Sequence, residues 1–311
     1  MARALIAFRI PLRDEFRRTT FREGLLMAGP SGWGELSPFP DYSDARARRW
    51  LEATFEAVAG AWPRAVRDTV PVNVTVPAVS PERAHEIVSA SGCSTAKVKV
   101  AEGDDVARVE AVRDALGPHG KVRVDANAAW DEDAAASAIR SLARFDLEYV
   151  EQPVATLEEM ARLRRRVDVP LAADESIRTA RDPGGVRAAG AADVVVLKAN
   201  PLGGVRTSLD VADSCGLPVV VSSALETSVG LAAGVALAAA LPELPFACGL
   251  GTASLLAGDV VADPLVPVGG RVHVRRPTVD ASALASHRVE SSSSPHLERL
   301  AAMVDAAEAL R

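Results

Sequence analysis

The stretch AKVKVAEGDDVARVEAVRDALGPHGKVRVD, from Ala96 to Asp125, holds one whole strand–helix–strand unit. Ala96–Val100 and Val122–Asp125 are short valine-rich runs, the pattern of strands covered on both faces. Between them, Asp104 to Leu116 has the length and spacing of a helix opened by a capping aspartate. Two strands joined through a helix run parallel. Lys99 closes the first run and Asp125 the second.

The same unit recurs along the chain. Further strand candidates are Val72–Val76, Leu147–Glu151, Leu171–Asp174, Val194–Lys198, Val219–Ser222 and Phe246–Gly249. Helical patterns at Asp131–Phe145, Thr156–Val167 and Gly204–Cys215 lie between them. About eight units predict a closed (β/α) barrel over residues 70–258 rather than an open sheet. Residues 1–69 read as a small α+β unit. It has strand runs at Ala7–Pro11 and Gly24–Ala28, a turn at Gly32–Gly34, and helical spacing of Trp50, Leu51, Phe55, Val58 and Ala59. The tail, 259–311, offers a strand at Arg271–Arg275, a polar loop at Ser291–Ser294 and an amphipathic helix at Pro295–Leu310; it is expected to pack back on the N-terminal unit.

Charged residues end five consecutive strand candidates: Lys99, Asp125, Glu151, Asp174 and Lys198, spaced 23 to 26 residues apart. One such charge alone reads as a solvated loop residue or a helix cap. Five at the period of the repeat point into one barrel mouth, where that much buried charge must be compensated or bind a metal. Three carboxylates without His or Cys make a hard oxygen site suited to Mg²⁺, with Mn²⁺ as the other candidate. A lysine beside a cation is pushed toward its neutral form, and Lys97, on the same strand face as Lys99, adds a second positive charge. A lysine so tuned can serve as a general base, taking a proton next to a substrate carboxylate while the metal neutralises the enediolate.

Composition removes other classes. The chain has 311 residues, 48% of them hydrophobic, and a net charge of −6, with no basic stripe for nucleic acid. Arg3, Arg9 and Arg13 break up the N-terminal stretch, so no signal peptide is expected. Val229–Leu241 is uncharged but too short and too rich in Ala and Gly for a membrane span; a buried helix is expected. Cys93, Cys215 and Cys248 form no CxxC pair and suggest thiols in a reducing cytoplasm. The five histidines have no zinc-ligand spacing, and Gly203-Gly204 reads as a helix start rather than a phosphate loop. The expected partner is a small carboxylate substrate. The oligomeric state is not legible.

The segments Lys97-Val98-Lys99, VDAN (Val124–Asn127), VEQP (Val150–Pro153), ADES (Ala173–Ser176) and VLKAN (Val196–Asn200) resemble those of the enolase superfamily. The K-x-K pair resembles its muconate lactonizing enzyme subgroup. GWGELSPFP (Gly32–Pro40) is similar to the capping domain of these proteins, and SSALETSVG (Ser222–Gly230) to their seventh strand. Within the subgroup the chain is most similar to the o-succinylbenzoate synthase family, through AKVKV, SSALETS and GLGT (Gly249–Thr252).

The resemblance implies an α/β fold: a modified TIM barrel with an α+β capping domain built from the N-terminal part and the tail. It implies syn dehydration of 2-succinyl-6-hydroxy-2,4-cyclohexadiene-1-carboxylate to 2-succinylbenzoate, in menaquinone biosynthesis. Asp125, Glu151 and Asp174 would be the metal ligands. Lys99 would remove the α-proton and help the hydroxyl leave, Lys198 would stabilise the enediolate, and Lys97 would tune Lys99. Weaker candidates for substrate contact are Ser222, Ser223, Asn127, Gly249 and Gly251, with Glu175 as support behind the metal ligands. Candidate lid segments are Arg13–Arg22 and Pro38–Ser43, the first offering Arg13, Arg17, Arg18 and Arg22 for a second carboxylate. An N-succinylamino acid racemase, a dipeptide epimerase or a cycloisomerase would share the ladder, and a non-catalytic binding barrel is a remote alternative.

Overall fold

The computed structural model describes residues 5–60, 62–178 and 185–309. The chain opens with three antiparallel strands, β1 (Leu5–Phe16), β2 (Thr19–Gly29) and β3 (Gly32–Leu36). The helix Asp44–Ala59 then lays Trp50, Leu51, Phe55 and Val58 against this sheet. Gly34 lets the two approach, since a Cβ there would stand 2.8 Å from the Thr54 carbonyl oxygen. β1 and β2 are longer than the sequence runs suggest. They meet in a two-residue turn in which Phe16 pairs with Thr19, while Arg17 and Arg18 both take left-handed conformations (φ 51° and 59°). The candidate lid segment Arg13–Arg22 is therefore the end of a hairpin.

The short strand β4 (Thr69–Pro71) leads into the barrel strands: β5 (Val74–Val76), β6 (Thr95–Lys99), β7 (Lys121–Asp125), β8 (Leu147–Glu151), β9 (Leu171–Ala173), β10 (Val194–Leu197) and β11 (Val219–Val221). They form one parallel sheet in chain order. An eighth stave closes it through single bridges, Val72 to Cys248 and Ser222 to Gly249. Valine and alanine dominate these strands because both faces are covered.

The intervening helices start at side-chain caps. Asp104 and Asp131 each accept the backbone N–H three residues on, and Thr156 with Glu159 makes a capping box. The helix after β8 is short, Leu157–Arg164, and does not reach Val167. The apolar stretch around Val229 is the helix Ser228–Ala240, packed on all sides within the core. Among the described residues no helix is long and apolar enough to cross a membrane.

The tail adds β12 (Arg271–His273), which pairs with β4, and β13 (Arg288–Val289), which pairs with β1 at Ala7 and Phe8. The expected strand there stops at His273, and Ser291–Ser293 is a single helical turn. The final helix, Pro295–Ala309, buries Leu297, Leu300 and Val304 with Leu25 and Met27 of β2; Leu310 lies outside the described residues.

Buried polar contacts join cap to barrel. Arg22 donates to the Leu225 carbonyl at 3.1 Å and to the Ser37 carbonyl. Glu35 accepts the N–H groups of Thr227 and Gly230, at 3.2 and 3.0 Å, and so caps the helix Ser228–Ala240 from the neighbouring unit. Asp14 of the hairpin pairs with Arg83 of the first barrel helix at 3.1 Å.

Candidate active site

The five charges reach one barrel mouth. Lys99, Asp125 and Glu151 are the last residues of β6, β7 and β8 and stand side by side in register. Asp174 and Lys198 each follow their strand by one residue. Lys97, two residues below Lys99, donates to both oxygens of Glu151 at 3.0 Å and lies 3.4 Å from Asp125. Lys99 donates to Asp125 at 2.6 Å and to Asn127 Oδ1 at 2.7 Å. Lys198 bonds Asp174 at 2.5 Å. The three carboxylates are at most 1% exposed.

This closeness sets the proton affinities. Burial lowers Lys99 below the ordinary lysine value; Asp125 opposes the shift and the neighbouring charge of Lys97 adds to it. Burial works against the Lys97 ammonium too, yet Glu151 and Asp125 outweigh it and hold Lys97 above the usual range. Asp125 is held far down by Lys99 and Lys97 against its own burial. Glu151 is pushed up to about 7 by burial and by the charge of Asp125.

Among the described residues, no three acidic, His or Cys side chains converge on one point as an ion's ligands would; Lys97 stands between Asp125 and Glu151. The donor chemistry fits a hard divalent cation all the same. It offers three buried carboxylates and no nitrogen or sulfur ligand, with enough negative charge to raise one of the three.

The cavity above the ladder is walled from both units. The barrel supplies Thr75, Lys97, Lys99, Asn127, Lys198, Ser222 and Ser223, with Ala224, Leu225 and Thr252 from the loops after the last two staves. The cap supplies Phe16, Arg17 and Phe39. Phe16 is buried, with Lys99 Nζ 5.2 Å from its ring centre. The cavity is narrow, and these cap residues form its outer wall.

Of the weaker candidates, Asn127, Ser222 and Ser223 line this cavity, and Asn127 Nδ2 faces Glu175 at 3.5 Å. At Gly249 and Gly251 the backbone runs close to Ser222 and to Asn73: a Cβ would meet Ser222 Oγ at the first and stand 2.8 Å from the Asn73 carbonyl oxygen at the second. At Gly203-Gly204 the following helix start receives Glu56 on Val205 N–H at 2.6 Å, which leaves no anion cradle. Phe16, Phe39, Thr75, Leu225 and Thr252 were not singled out as site residues from the sequence. For Thr75 a signal existed, because it pairs with Lys97 at the same level of the barrel.

Family models match both parts of the chain: "Enolase N-terminal domain-like" over residues 7–58 and "Enolase C-terminal domain-like" over residues 80–278. The o-succinylbenzoate synthase of Thermobifida fusca is 63% identical over 292 residues, covering 92% of each chain. That of Mycolicibacterium smegmatis is 52% identical over 89% of this chain and 87% of its own. Among solved structures, a muconate lactonizing enzyme from Pseudomonas fluorescens shares the fold with a TM-score of 0.79 at 23% identity, covering 93% of this chain and 98% of that one. The L-Ala-D/L-Glu epimerase from Bacillus subtilis does so with a TM-score of 0.76 at 24% identity, over 90% and 97%. Matches of this extent mean that the chain belongs to the enolase superfamily, among the o-succinylbenzoate synthases.

Proposed function

We propose that the protein removes water from 2-succinyl-6-hydroxy-2,4-cyclohexadiene-1-carboxylate to give 2-succinylbenzoate. The observation that carries this reading is that Lys99 and Lys198 enter one cavity on either side of the carboxylates of β7, β8 and β9. In it Lys99, lowered by burial and placed by Asp125 and Asn127, takes the proton from the carbon bearing the carboxylate. The same ammonium then returns that proton to the departing hydroxyl on the same ring face, so hydrogen and hydroxide leave together as water and the ring becomes aromatic. Lys198 faces the other side and its positive charge stabilises the enediolate. Lys97 stays charged on Glu151 and keeps positive charge beneath Lys99. Asp125, Glu151 and Asp174 would hold Mg²⁺, which when bound supplies the positive charge that makes the α-proton acidic. Asn127, Ser222 and Ser223 would contact substrate. The chain would divide into a cap of residues 1–69 completed by 259–311 and a barrel of residues 70–258. The product would serve menaquinone biosynthesis, in the cytoplasm.

A coupled assay for 2-succinylbenzoate tests the reading. Turnover should vanish on treatment with EDTA and return with Mg²⁺. Activity that persists after thorough chelation would remove the metal from the scheme. The two-sided lysines also suit a second reading, racemisation of N-succinylamino acids. Solvent deuterium entering both enantiomers of such a substrate without loss of water would favour it.

A further inference from the structure

Among the described residues, Arg17 is the one cation lining the cavity that is not paired with a carboxylate; its side chain is exposed at the mouth. Lys97, Lys99 and Lys198 are each bonded to a carboxylate of the ladder. Arg17 lines the same cavity from the hairpin end, and among the described residues no carboxylate lies within salt-bridge distance of it. Contacts on the cap side orient it. The tight turn at Arg17-Arg18 carries it, buried Phe16 anchors that turn over Lys99, and its guanidinium carbon stands 4.7 Å from the ring centre of Phe39. Arg22 stands 4.1 Å from that same ring and is committed to the carbonyls of Leu225 and Ser37, so it cannot turn toward the cavity. Burial lowers the proton affinity of Arg22, Glu35 and Glu226 oppose this, and the charge of Arg17 lowers it further. An anion beside Arg17 would relieve the repulsion between the two guanidinium groups. Ser223 and Thr252, joined by a 2.7 Å hydrogen bond, bring hydroxyls to the same cavity.

We propose that Arg17 is the specificity-determining residue that recognises a second carboxylate on the substrate, the one ending its succinyl side chain. This rests on the function proposed above, in which the ring carboxylate takes the lysine and metal end. The planar fork of a guanidinium matches a carboxylate with two parallel hydrogen bonds, and stacking on Phe39 pre-orients it. A substrate with carboxylates at both ends would then span the cavity from ladder to hairpin.

The test compares wild type, Arg17→Gln and Arg17→Lys on the diacid substrate and on its analogue with the succinyl carboxylate replaced by a primary amide. Arg17→Gln should raise KM for the diacid about 10- to 100-fold, the size of a lost charge-assisted pair, with kcat little changed. Arg17→Lys should recover part of the loss. The amide should be a poor substrate for wild type, and Arg17→Gln should leave it no poorer. Equal kcat/KM for wild type and Arg17→Gln on the diacid would overturn the inference. So would equal losses on diacid and amide, which would mark Arg17 as a packing residue of the lid. If wild type does not dehydrate the diacid at all, the proposed function falls first and this inference with it.

Discussion

The side-chain oxygen of Gln152 accepts the backbone N–H of Asp174 at 3.0 Å. It accepts that of Ser176 at the same distance, while its nitrogen donates to the Val154 carbonyl at 2.9 Å and to Ser176 Oγ at 2.8 Å. One buried amide from the end of β8 thus fixes the turn that carries Asp174 beyond β9. Gln152→Leu should leave the barrel folded but let Asp174 wander. The Mg²⁺ concentration for half-maximal activity should rise about 10- to 100-fold, as for other partners of metal ligands. An unchanged Mg²⁺ titration would show that the turn holds without Gln152.

Lys99→Ala and Lys198→Ala should each lower kcat by about 10²- to 10⁴-fold or more, the scale of a lost general base or charge stabiliser. Both should melt as cooperatively as wild type, because the core lies below the mouth. Proton exchange in deuterium oxide separates the roles: Lys99→Ala should lose exchange at the α-carbon. Wild-type rates in either variant would refute the assignment.

Glu35 fastens the cap to the helix Ser228–Ala240, and burial pushes its carboxyl up to about 7 against the pull of hydrogen bonds from Ser37 and Thr227. A carboxyl raised on folding binds its proton more tightly in the native state. Its stabilising effect is therefore complete below the unfolded value near 4.5 and fades as pH climbs through about 7. Glu35→Gln should remove that slope. Between pH 5 and pH 8 wild type should lose up to about 3 kcal/mol relative to the variant, by denaturant titration at each pH. Parallel stability curves would show that Glu35 is ionised throughout.

Asp14 and Arg83 form a half-exposed pair between hairpin and barrel, so breaking it should cost under about 1 kcal/mol in global stability. Its effect belongs to the lid. Asp14→Asn should speed amide hydrogen exchange at residues 13–19 while leaving the barrel strands protected. Unaltered exchange there would assign the hairpin's placement to contacts such as buried Phe16 and not to this pair.

The ladder was legible because a charge at the end of an apolar run is conspicuous and the repeat puts each one at the same level. The cavity's cap-side wall was legible only as two segments, Arg13–Arg22 and Pro38–Ser43, which hold Phe16, Arg17 and Phe39. As single residues Phe16 and Phe39 look like ordinary core until the cap lays one over Lys99 and the other beside Arg22. The hairpin turn itself carries none of the Asn-Gly or Gly signals that usually mark one, since two arginines occupy its left-handed positions. The eighth stave is held by bridges at only Cys248 and Gly249, too little to set its limits from a pattern. The close contact that Gly249 and Gly251 make with Ser222 and Asn73 is a tertiary property with no signal in the sequence. Gln152 gave no sign of its task because the turn it fixes, at Asp174 and Ser176, lies one repeat away.

The pairing of β13 with β1, and of the final helix with β2, has a consequence for biosynthesis. A ribosome emits the whole barrel before the residues that finish the sheet bearing the hairpin. Until Arg288 and Val289 emerge, the outer edge of β1 lacks its neighbour at Ala7 and Phe8 and is open to stray pairing with other nascent chains. The chemical groups of the mouth are thus assembled early, while the roof over them must wait until residues 288–309 have been translated.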